Sequence, residues 1–232
     1  MLSLSPAEVD ALLLTLRVAL WAMVWSLPVG IAAAWLLARR TFPGKAALDA
    51  LIHLPLVVPP VVVGYVLLVV LGRRGAVGSW LYDDFGITIL FNWKGAAVAS
   101  AVMAFPLVVR AIRLSIEAVD RRLEAAARTL GAGPIRAFFT VTLPLTAPGI
   151  LVGAILGFAR SLGEFGATIT FVSNIPGQTR TLPIALYTLV QAPGGEAAAL
   201  RLVALSVALA FAALLASELV ARRLRARMAD PP

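Results

Sequence analysis

Two opposite charges, Arg160 and Glu164, stand in an otherwise apolar segment that runs from residue 145 to residue 172. An ion near the centre of a bilayer costs about 2.5–3.5 kcal/mol on insertion scales, so such residues face protein or water and often mark transport paths. At 1.5 Å per residue from Thr146, Arg160 lies roughly 21 Å into a core about 30 Å thick, beyond its midplane. The pair, with Ser161 beside it, is suited either to attracting an anion in transit or to neutralising itself as a structural ion pair.

A second candidate site is the basic stretch EAAARTLGAGPIRAFFTVTLP, residues 124–144, which lies between two strongly apolar segments. Its first seven residues are good helix formers that open with an acid, a pattern that predicts a short helix. Gly131 and Gly133 end this helix, and Pro134 suits the first position of a new one. We therefore predict two short helices that meet at an angle and offer a docking surface to a soluble partner.

Residues for covalent or metal chemistry are scarce in this chain. It has no cysteine and one histidine, which excludes disulfides, thiolate metal sites and imidazole clusters. A phosphate-binding loop of the form GxxxxGK[ST] is also missing, because the nearest fragment, Gly44-Lys45-Ala46, lacks the first glycine and the hydroxyl. We expect no metal site, no cofactor and no catalytic residue.

The composition is that of an integral membrane protein. Of the 232 residues 60% are hydrophobic and 14% charged, and the mean hydropathy is +0.92. A spanning helix needs about 20 apolar residues. We predict an all-α membrane protein, one transmembrane domain over residues 1–232, with five spans at 11–38, 48–71, 95–112, 145–172 and 200–221.

The basic residues indicate the orientation of these spans. The formal net charge is +8, and Lys and Arg collect in alternate connections. The positive-inside rule makes those connections cytoplasmic, which explains the charge without a nucleic-acid partner and predicts an external N-terminus and a cytoplasmic C-terminus. The three clusters are Arg39, Arg40 and Lys45; Arg110, Arg113, Arg121, Arg122, Arg128 and Arg136; and Arg222, Arg223, Arg225 and Arg227.

Prolines interrupt the second span, since Pro55, Pro59 and Pro60 each remove a backbone donor. A break of this kind is tolerated where protein or a water-filled cavity satisfies the freed carbonyls. Pro59 and Pro60 are therefore candidate path residues, and a kink that only aids packing is the alternative. In the outer loop 173–199, the apolar run 182–190 is too short to span and predicts a surface helix.

The stretch 124–144 resembles the EAA loop of ABC transporter permeases, whose consensus is EAA, three residues, Gly, nine residues, Ile, one residue and Leu-Pro. Gly131, Val141, Leu143 and Pro144 keep that spacing, with Val in place of Ile, whereas Glu124 stands one residue before the consensus Glu position. The resemblance implies a cytoplasmic loop, 113–144, that couples the chain to an ATPase. Its candidate contact residues are Glu124, Ala126, Ala127, Arg128, Gly131, Ala132, Gly133, Pro134, Leu143 and Pro144.

Over nearly its whole length the chain resembles the molybdate permease subunits of ABC importers. Matching segments are ARRTFPGKA at 38–46, LPLVVPPVVVGY at 54–65, ARTLGAG at 127–133 and FARSLGEFGATITFVSNIPGQTRTLP at 158–183. The resemblance implies a type I importer permease core in the bacterial cytoplasmic (inner) membrane, working by alternating access. It also implies a homodimer, two cytoplasmic ABC ATPase subunits that use ATP, and an external binding protein for molybdate or tungstate, so the chain alone is not an enzyme.

Three other readings differ in class. A sulfate or thiosulfate ABC permease would share the fold and the loop. A channel or an ion-driven carrier would need no ATPase partner, and a membrane-bound enzyme would need a nucleophile or metal cluster, which the sequence does not offer.

Overall fold

The computed structural model of the protein describes residues 4–229, and those residues form helices joined by short connections. The side chains of 217, 220, 221 and 223–229 also lie outside the description, so of the predicted C-terminal basic cluster only Arg222 is described. The helices are α1 Pro6–Arg39, α2 Lys45–His53, α3 Pro60–Leu71, α4 Ala76–Phe85, α5 Trp93–Ala118, α6 Arg121–Thr129, α7 Pro134–Ala137, α8 Leu143–Leu162, α9 Gly166–Val172, α10 Leu182–Val190 and α11 Glu196–Ala229, with a 3₁₀ turn at Leu54–Leu56 and a π-helical stretch at Phe138–Thr142.

Four of the described helical segments are long and apolar enough to cross a membrane: Pro6–Arg39, Trp93–Ala118, Pro134–Leu162 and Glu196–Ala216. A fifth span arises if the bent pair Lys45–Leu56 and Pro60–Leu71 is counted as one, which agrees with the all-α, five-span prediction.

The first helix starts earlier than the hydrophobic pattern indicates because its N-terminus is capped. The Ser5 hydroxyl accepts the N–H of Glu8, the Glu8 carboxylate accepts the N–H of Ser5, and Pro6 occupies the first helical position. This capping box extends α1 five residues beyond the predicted start at residue 11.

The second span is interrupted, as its prolines predict. Its two halves are bent by 113° relative to each other, and the second half begins with Pro60 at its first position. That half packs so closely on α9 that a Cβ atom built on Gly64 would lie 2.5 Å from the carbonyl oxygen of Ala167.

The centre of the bundle is formed by α1, α5 and α8. Three glycines of α8, spaced four residues apart, face α5: Gly149 lies against Ser115, and Gly153 and Gly157 lie against Val108. Small residues at this spacing let helix backbones approach closely in membranes. The buried cluster around them includes Ala22, Met23, Val108, Ile112 and Ile116.

The fourth span differs from the continuous helix predicted over 145–172. It begins earlier, because the helix that Pro134 starts continues without a break to Leu162, and it ends at Gly163. The chain becomes helical again at Gly166, where the Glu164 carboxylate accepts the N–H of Ala167. Glycine favours a helix end, and a carboxylate that accepts a backbone N–H starts a new helix.

The two connections at the ends of the bundle also differ in detail from the sequence-based expectation. Helix α5 continues to Ala118, and the fourth span begins at Pro134, so the connection between them is shorter than the predicted loop 113–144. Helix α6 lies within this connection. The apolar run 182–190 forms α10, as predicted, and its first N–H is donated by Leu182 to the Thr15 hydroxyl at 2.7 Å.

The close packing of α3 on α9 predicts that Gly64→Ala destabilises the protein. The added methyl group meets backbone atoms that cannot move aside, so we expect a loss of about 1–3 kcal/mol and a melting temperature several degrees lower. Thermal unfolding in detergent measures this. Gly163→Ala is the matched control, because nothing lies within 4 Å of its Cβ position, and equal melting temperatures for the two variants would contradict the packing argument.

Candidate functional site: a coupling loop and a broken span

The predicted coupling loop consists of one short helix, a glycine turn and the start of the long fourth span. Helix α6 is capped by Asp120, whose carboxylate accepts the N–H of Arg122 at 2.9 Å. Gly131 then adopts a left-handed conformation with φ of 88°, which favours glycine, and Pro134 starts the next helix. The predicted second short helix, α7, is therefore the first turn of the fourth span and not a separate element.

Most of the predicted contact residues are exposed or half-buried. Within the described part of the chain, Cβ atoms built on Gly131 and Gly133 would meet nothing within 4 Å apart from their own chain neighbours. The glycine turn is thus open to an external partner. Of the candidate residues, Ala126, Arg128, Gly131, Gly133, Pro134 and Pro144 are exposed, and Ala127, Ala132 and Leu143 are half-buried.

Glu124 has a different position, because it points back towards the bundle. One of its oxygens lies 3.0 Å from Nη2 of Arg39 and accepts the Thr142 hydroxyl at 2.8 Å. The same Arg39 nitrogen donates to the carbonyl oxygen of Val119 at 2.9 Å. Arg39 therefore joins the end of α1, the end of α5 and the coupling loop in one polar cluster.

The sequence reasoning missed Arg39 and Thr142 as functional residues. Arg39 was one of several arginines in a basic cluster, and the only available signal was its place at the end of an apolar helix. Nothing in the spacing of Arg39, Glu124 and Thr142 indicates that they meet.

The second candidate site lies where the fourth span breaks. Nη2 of Arg160 lies 2.8 Å from an oxygen of Glu164, and the other oxygen of Glu164 accepts the N–H of Ala167 at 2.9 Å. The Glu164 side chain is only 2% exposed, whereas that of Arg160 is 30% exposed. Both oxygens of Glu164 are used within the chain, so Arg160 is the member of the pair that is accessible at the surface.

The other predicted path residues lie in two different environments. Pro60 packs on the turn that follows Glu164, since a Cβ on Gly166 would lie 2.8 Å from Cβ of Pro60. Pro59 and Pro60 are exposed. Ser161 is buried, and its hydroxyl donates to the carbonyl oxygen of Gly157 at 2.9 Å, so it supports the helix and presents no group to the surface.

No cluster of three or more His, Asp or Glu residues that could hold a metal ion occurs in the described part of the chain. The charged groups of both sites are instead arginine and glutamate side chains in pairs. This arrangement can attract an anion or bind a partner.

Comparison with known proteins links this geometry to a family. The family model described as "Binding-protein-dependent transport system inner membrane component" matches residues 26–226. The "Molybdenum transport system permease protein ModB" of Escherichia coli is 65% identical over 224 residues, covering 97% of this chain and 98% of the relative. The protein of the same name from Haemophilus influenzae is 56% identical over 95% of this chain and 96% of the relative.

A more distant relative and a solved structure complete the comparison. The "Probable sulfate transport system permease protein cysT" of Chlorokybus atmophyticus is 37% identical over 78% of this chain and 63% of the relative. A bacterial alginate ABC transporter, solved in complex with a periplasmic protein that carries an alginate pentasaccharide, has a TM-score of 0.74 with 17% identity, covering 95% of this chain and 80% of that chain. That likeness shows a shared fold.

The Arg39 cluster predicts that substitutions of two glutamates, Glu124 and Glu117, differ clearly in their effect on the free energy of unfolding. Glu124→Gln leaves Arg39, whose side chain is 7% exposed, without its counter-ion, so we expect a loss of about 3 kcal/mol in the free energy of unfolding. Glu117→Gln, the matched control, removes an exposed ion pair with Arg113 and should cost at most about 1 kcal/mol. Unfolding in mixed micelles, followed by circular dichroism, compares the two, and equal losses would refute the buried cluster.

Proposed function

The chain belongs to the family of binding-protein-dependent transport system inner membrane components, and on that premise we propose that it is the permease subunit of an ATP-driven ABC importer for molybdate. The observation that carries the proposal is the near full-length identity to the molybdenum permease proteins. Sulfate is the second candidate substrate, on the weaker likeness to a sulfate permease protein. Tungstate, which has the same charge and geometry as molybdate, falls within the first proposal.

The proposed assembly contains two copies of this chain, two cytoplasmic ABC ATPase subunits that use the ATP, and an external molybdate-binding protein. The N-terminus is outside and the C-terminus is in the cytoplasm. Two contacts support this arrangement: Arg39 meets Glu124 at one end of the bundle, and Glu8 meets Arg201 at the other. The first contact joins two of the arginine-rich connections, as expected if both lie on the cytoplasmic side.

A path between two copies accounts for the exposure of the predicted path residues. Pro59 and Pro60 are exposed, and the neighbouring Val57 and Tyr65 are 84% and 60% exposed. Arg160 also reaches the surface of the single chain. A translocation path that passed through the middle of one copy would require these residues to face its interior, so we place the path at the surface where a second copy packs.

The proposed coupling mechanism follows from the continuity of the fourth span. Residues Pro134–Leu162 form one helical segment of 29 residues, roughly 43 Å long at 1.5 Å per residue. One end follows the glycine turn of the coupling loop, and the other lies beside the Arg160–Glu164 pair and Pro60. A displacement of the loop by the ATPases would thus be transmitted along a stiff element to the break in the span.

Arg160 would attract the oxyanion without holding it tightly. Its charge is balanced by Glu164 at 2.8 Å, which weakens the field that a dianion experiences. Conduction requires binding that is favourable enough for entry and weak enough for release. We therefore assign Arg160 to the path and Glu164 to the support of Arg160 and of the start of α9.

The external loop is a candidate dock for the binding protein because several hydrogen bonds connect its residues. The Thr179 hydroxyl donates to the carbonyl oxygen of Ser173 and accepts the N–H of Ile175. Nε of Arg180 donates to the side-chain oxygen of Asn174 at 2.7 Å, and the Asn174 amide donates to the Thr188 hydroxyl. A rigid loop loses little conformational entropy when a partner binds it.

The decisive experiment is transport by the reconstituted complex. The chain is purified with its ATPase subunits, placed in proteoliposomes and supplied with binding protein loaded with molybdate, tungstate or sulfate. The proposal expects ATP-dependent uptake of molybdate, and it is refuted if uptake is independent of ATP or if only sulfate is taken up. Failure of the chain to co-purify with an ATPase would favour a channel or carrier.

The glycine turn predicts that bulk at Gly133 uncouples the complex. Gly133 has φ of −64° and open space around its Cβ position, so Gly133→Trp strains neither the backbone nor the packing of this chain. It should leave membrane insertion and dimer formation intact and reduce transport by at least about ten-fold, because the partner groove no longer fits. Gly133→Ala is the control and should transport normally; equal transport by the two variants would refute the coupling contact.

Gly131→Trp should also abolish transport, but it adds a second effect. The left-handed backbone at φ of 88° disfavours any side chain there, so loss of transport alone cannot separate strain from a blocked contact. Gly133→Trp is for this reason the sharper test.

The Arg160–Glu164 pair predicts that removing both charges separates transport from assembly. Arg160→Gln alone leaves Glu164 buried without its cation, whereas Arg160→Gln with Glu164→Gln leaves no unpaired charge. The double variant should assemble normally and take up molybdate about ten-fold more slowly, equivalent to ~1.4 kcal/mol. Size-exclusion chromatography and uptake measure the two effects, and unchanged uptake would show that Arg160 is not a path residue.

A further inference from the structure

Two adjoining cavities lie where the end of α1 meets the coupling loop. The first has a volume of about 500 Å³ and is almost entirely apolar. The second has a volume of about 280 Å³, and its lining is mixed, with slightly more polar than apolar surface. They share Trp35, Arg40, Pro134 and Phe138 in their walls, so together they form one continuous surface feature with an apolar part and a polar part.

The polar cavity carries an excess of positive charge. Its walls contain four arginines and one acid, and that acid, Glu124, is already neutralised by Arg39. Three guanidinium groups remain without a carboxylate among the wall residues, those of Arg40, Arg121 and Arg128. The Arg39 side chain is 7% exposed, and its Nε is buried without a hydrogen-bond partner. The excess positive charge of this cavity favours the binding of an anion.

The apolar cavity has the dimensions of a lipid chain. Its walls extend along α1 from Pro28 to Arg40, about 18 Å at 1.5 Å per residue, which is close to half the thickness of a hydrocarbon core. Across from α1 the wall is built by Ile135, Phe138, Phe139 and Leu143. This length and this chemistry fit an acyl chain and do not fit a free inorganic anion.

The aromatic and basic residues between the two cavities are those of a membrane interface. The Arg40 guanidinium carbon lies 5.3 Å from the ring centroid of Trp35, and the Trp35 ring packs edge-on against Phe138. Tryptophan concentrates at the level of lipid headgroups, and arginine clusters beside a spanning helix attract anionic lipids. The junction of the two cavities therefore has the residue types that occur at the level of lipid phosphate groups.

We propose that the two cavities bind one anionic phospholipid, with its phosphate among Arg40, Arg121 and Arg128 and an acyl chain in the apolar cavity. The assignment to the cytoplasmic leaflet rests on the proposed orientation, whereas the site itself does not. The lipid would contact both the end of α1 and the first turn after the glycine turn, and so would connect the coupling loop to the bilayer. Its phosphate would supply the negative charge that the polar cavity lacks.

A direct binding measurement tests the site without requiring transport. The full-length protein is purified in detergent and titrated with phosphatidylglycerol or phosphatidylcholine of identical acyl chains, and bound lipid is counted by native mass spectrometry. We expect one phosphatidylglycerol to bind at least about ten-fold more tightly than phosphatidylcholine. Equal binding of the two lipids would overturn the proposal.

Three variants locate the bound lipid. Arg40→Gln should weaken phosphatidylglycerol binding about five-fold, the contribution of one basic side chain near an anionic lipid. Arg110→Gln, the matched control, removes an exposed arginine that lines neither cavity and should leave binding unchanged. Ala32→Trp fills the apolar cavity from the exposed face of α1 and should remove the tight site for both lipids.

The outcomes of these experiments distinguish a specifically bound lipid from other occupants of the two cavities. Equal effects of Arg40→Gln and Arg110→Gln would refute a specific site and indicate general charge attraction. Inorganic phosphate that competes fully with the lipid would refute the acyl-chain contact. Cross-linking of the Ile135→Cys variant to a second copy or to an ATPase subunit in the assembled complex would show that protein, not lipid, covers the apolar cavity. None of these readouts depends on the transported substrate, so failure here leaves the proposed function untouched.

Discussion

The fold depends on one buried charge, that of Arg39 at the end of the first helix. Its guanidinium group meets the carbonyl oxygen of Val119, where α5 has just ended, and the carboxylate of Glu124, which also accepts the Thr142 hydroxyl. A buried arginine is tolerated only when such partners satisfy it. The end of α1, the end of α5 and the coupling loop are therefore held next to one another. The coupling loop is packed against the bundle through these contacts.

The two ends of the fourth span differ, because the span is continuous with the coupling loop at one end and interrupted at the other. The fourth span is continuous from the glycine turn to Leu162, and glycines bring it close to α5 along that length. Beyond Leu162 the backbone breaks, and opposite this break the second span is broken as well, with Pro60 against Gly166. In the proposed function, these two interrupted spans in contact would provide a place where a path opens without unwinding a helix, because each half can move as a unit.

The polar residues of this chain suit a permease subunit that works with separate ATPase subunits. The chain has no phosphate-binding loop, and its relatives are named as permease proteins, so in the proposed function energy would enter from separate ATPase subunits through the surface that presents the open glycine turn. Beside that surface, Arg40 lines both the apolar and the polar cavity, whereas Arg121 and Arg128 line only the polar one. Partner protein and bilayer would thus meet the same few residues.

The sequence by itself determined the membrane class, the number of spans, the interruption of the second span, the end of α6 at the glycines and the short helix 182–190, because hydrophobic run length and Gly or Pro chemistry are local properties. It also indicated the Arg160–Glu164 pair, since four residues is one helical turn. Only the tertiary structure decided that Glu124 turns inward to Arg39, 85 residues away, that Glu8 meets Arg201, and that the helix from Pro134 continues to Leu162. Contacts between distant segments depend on how whole helices pack. The hydrophobic periodicity within one segment does not indicate which side chain of another segment it will contact.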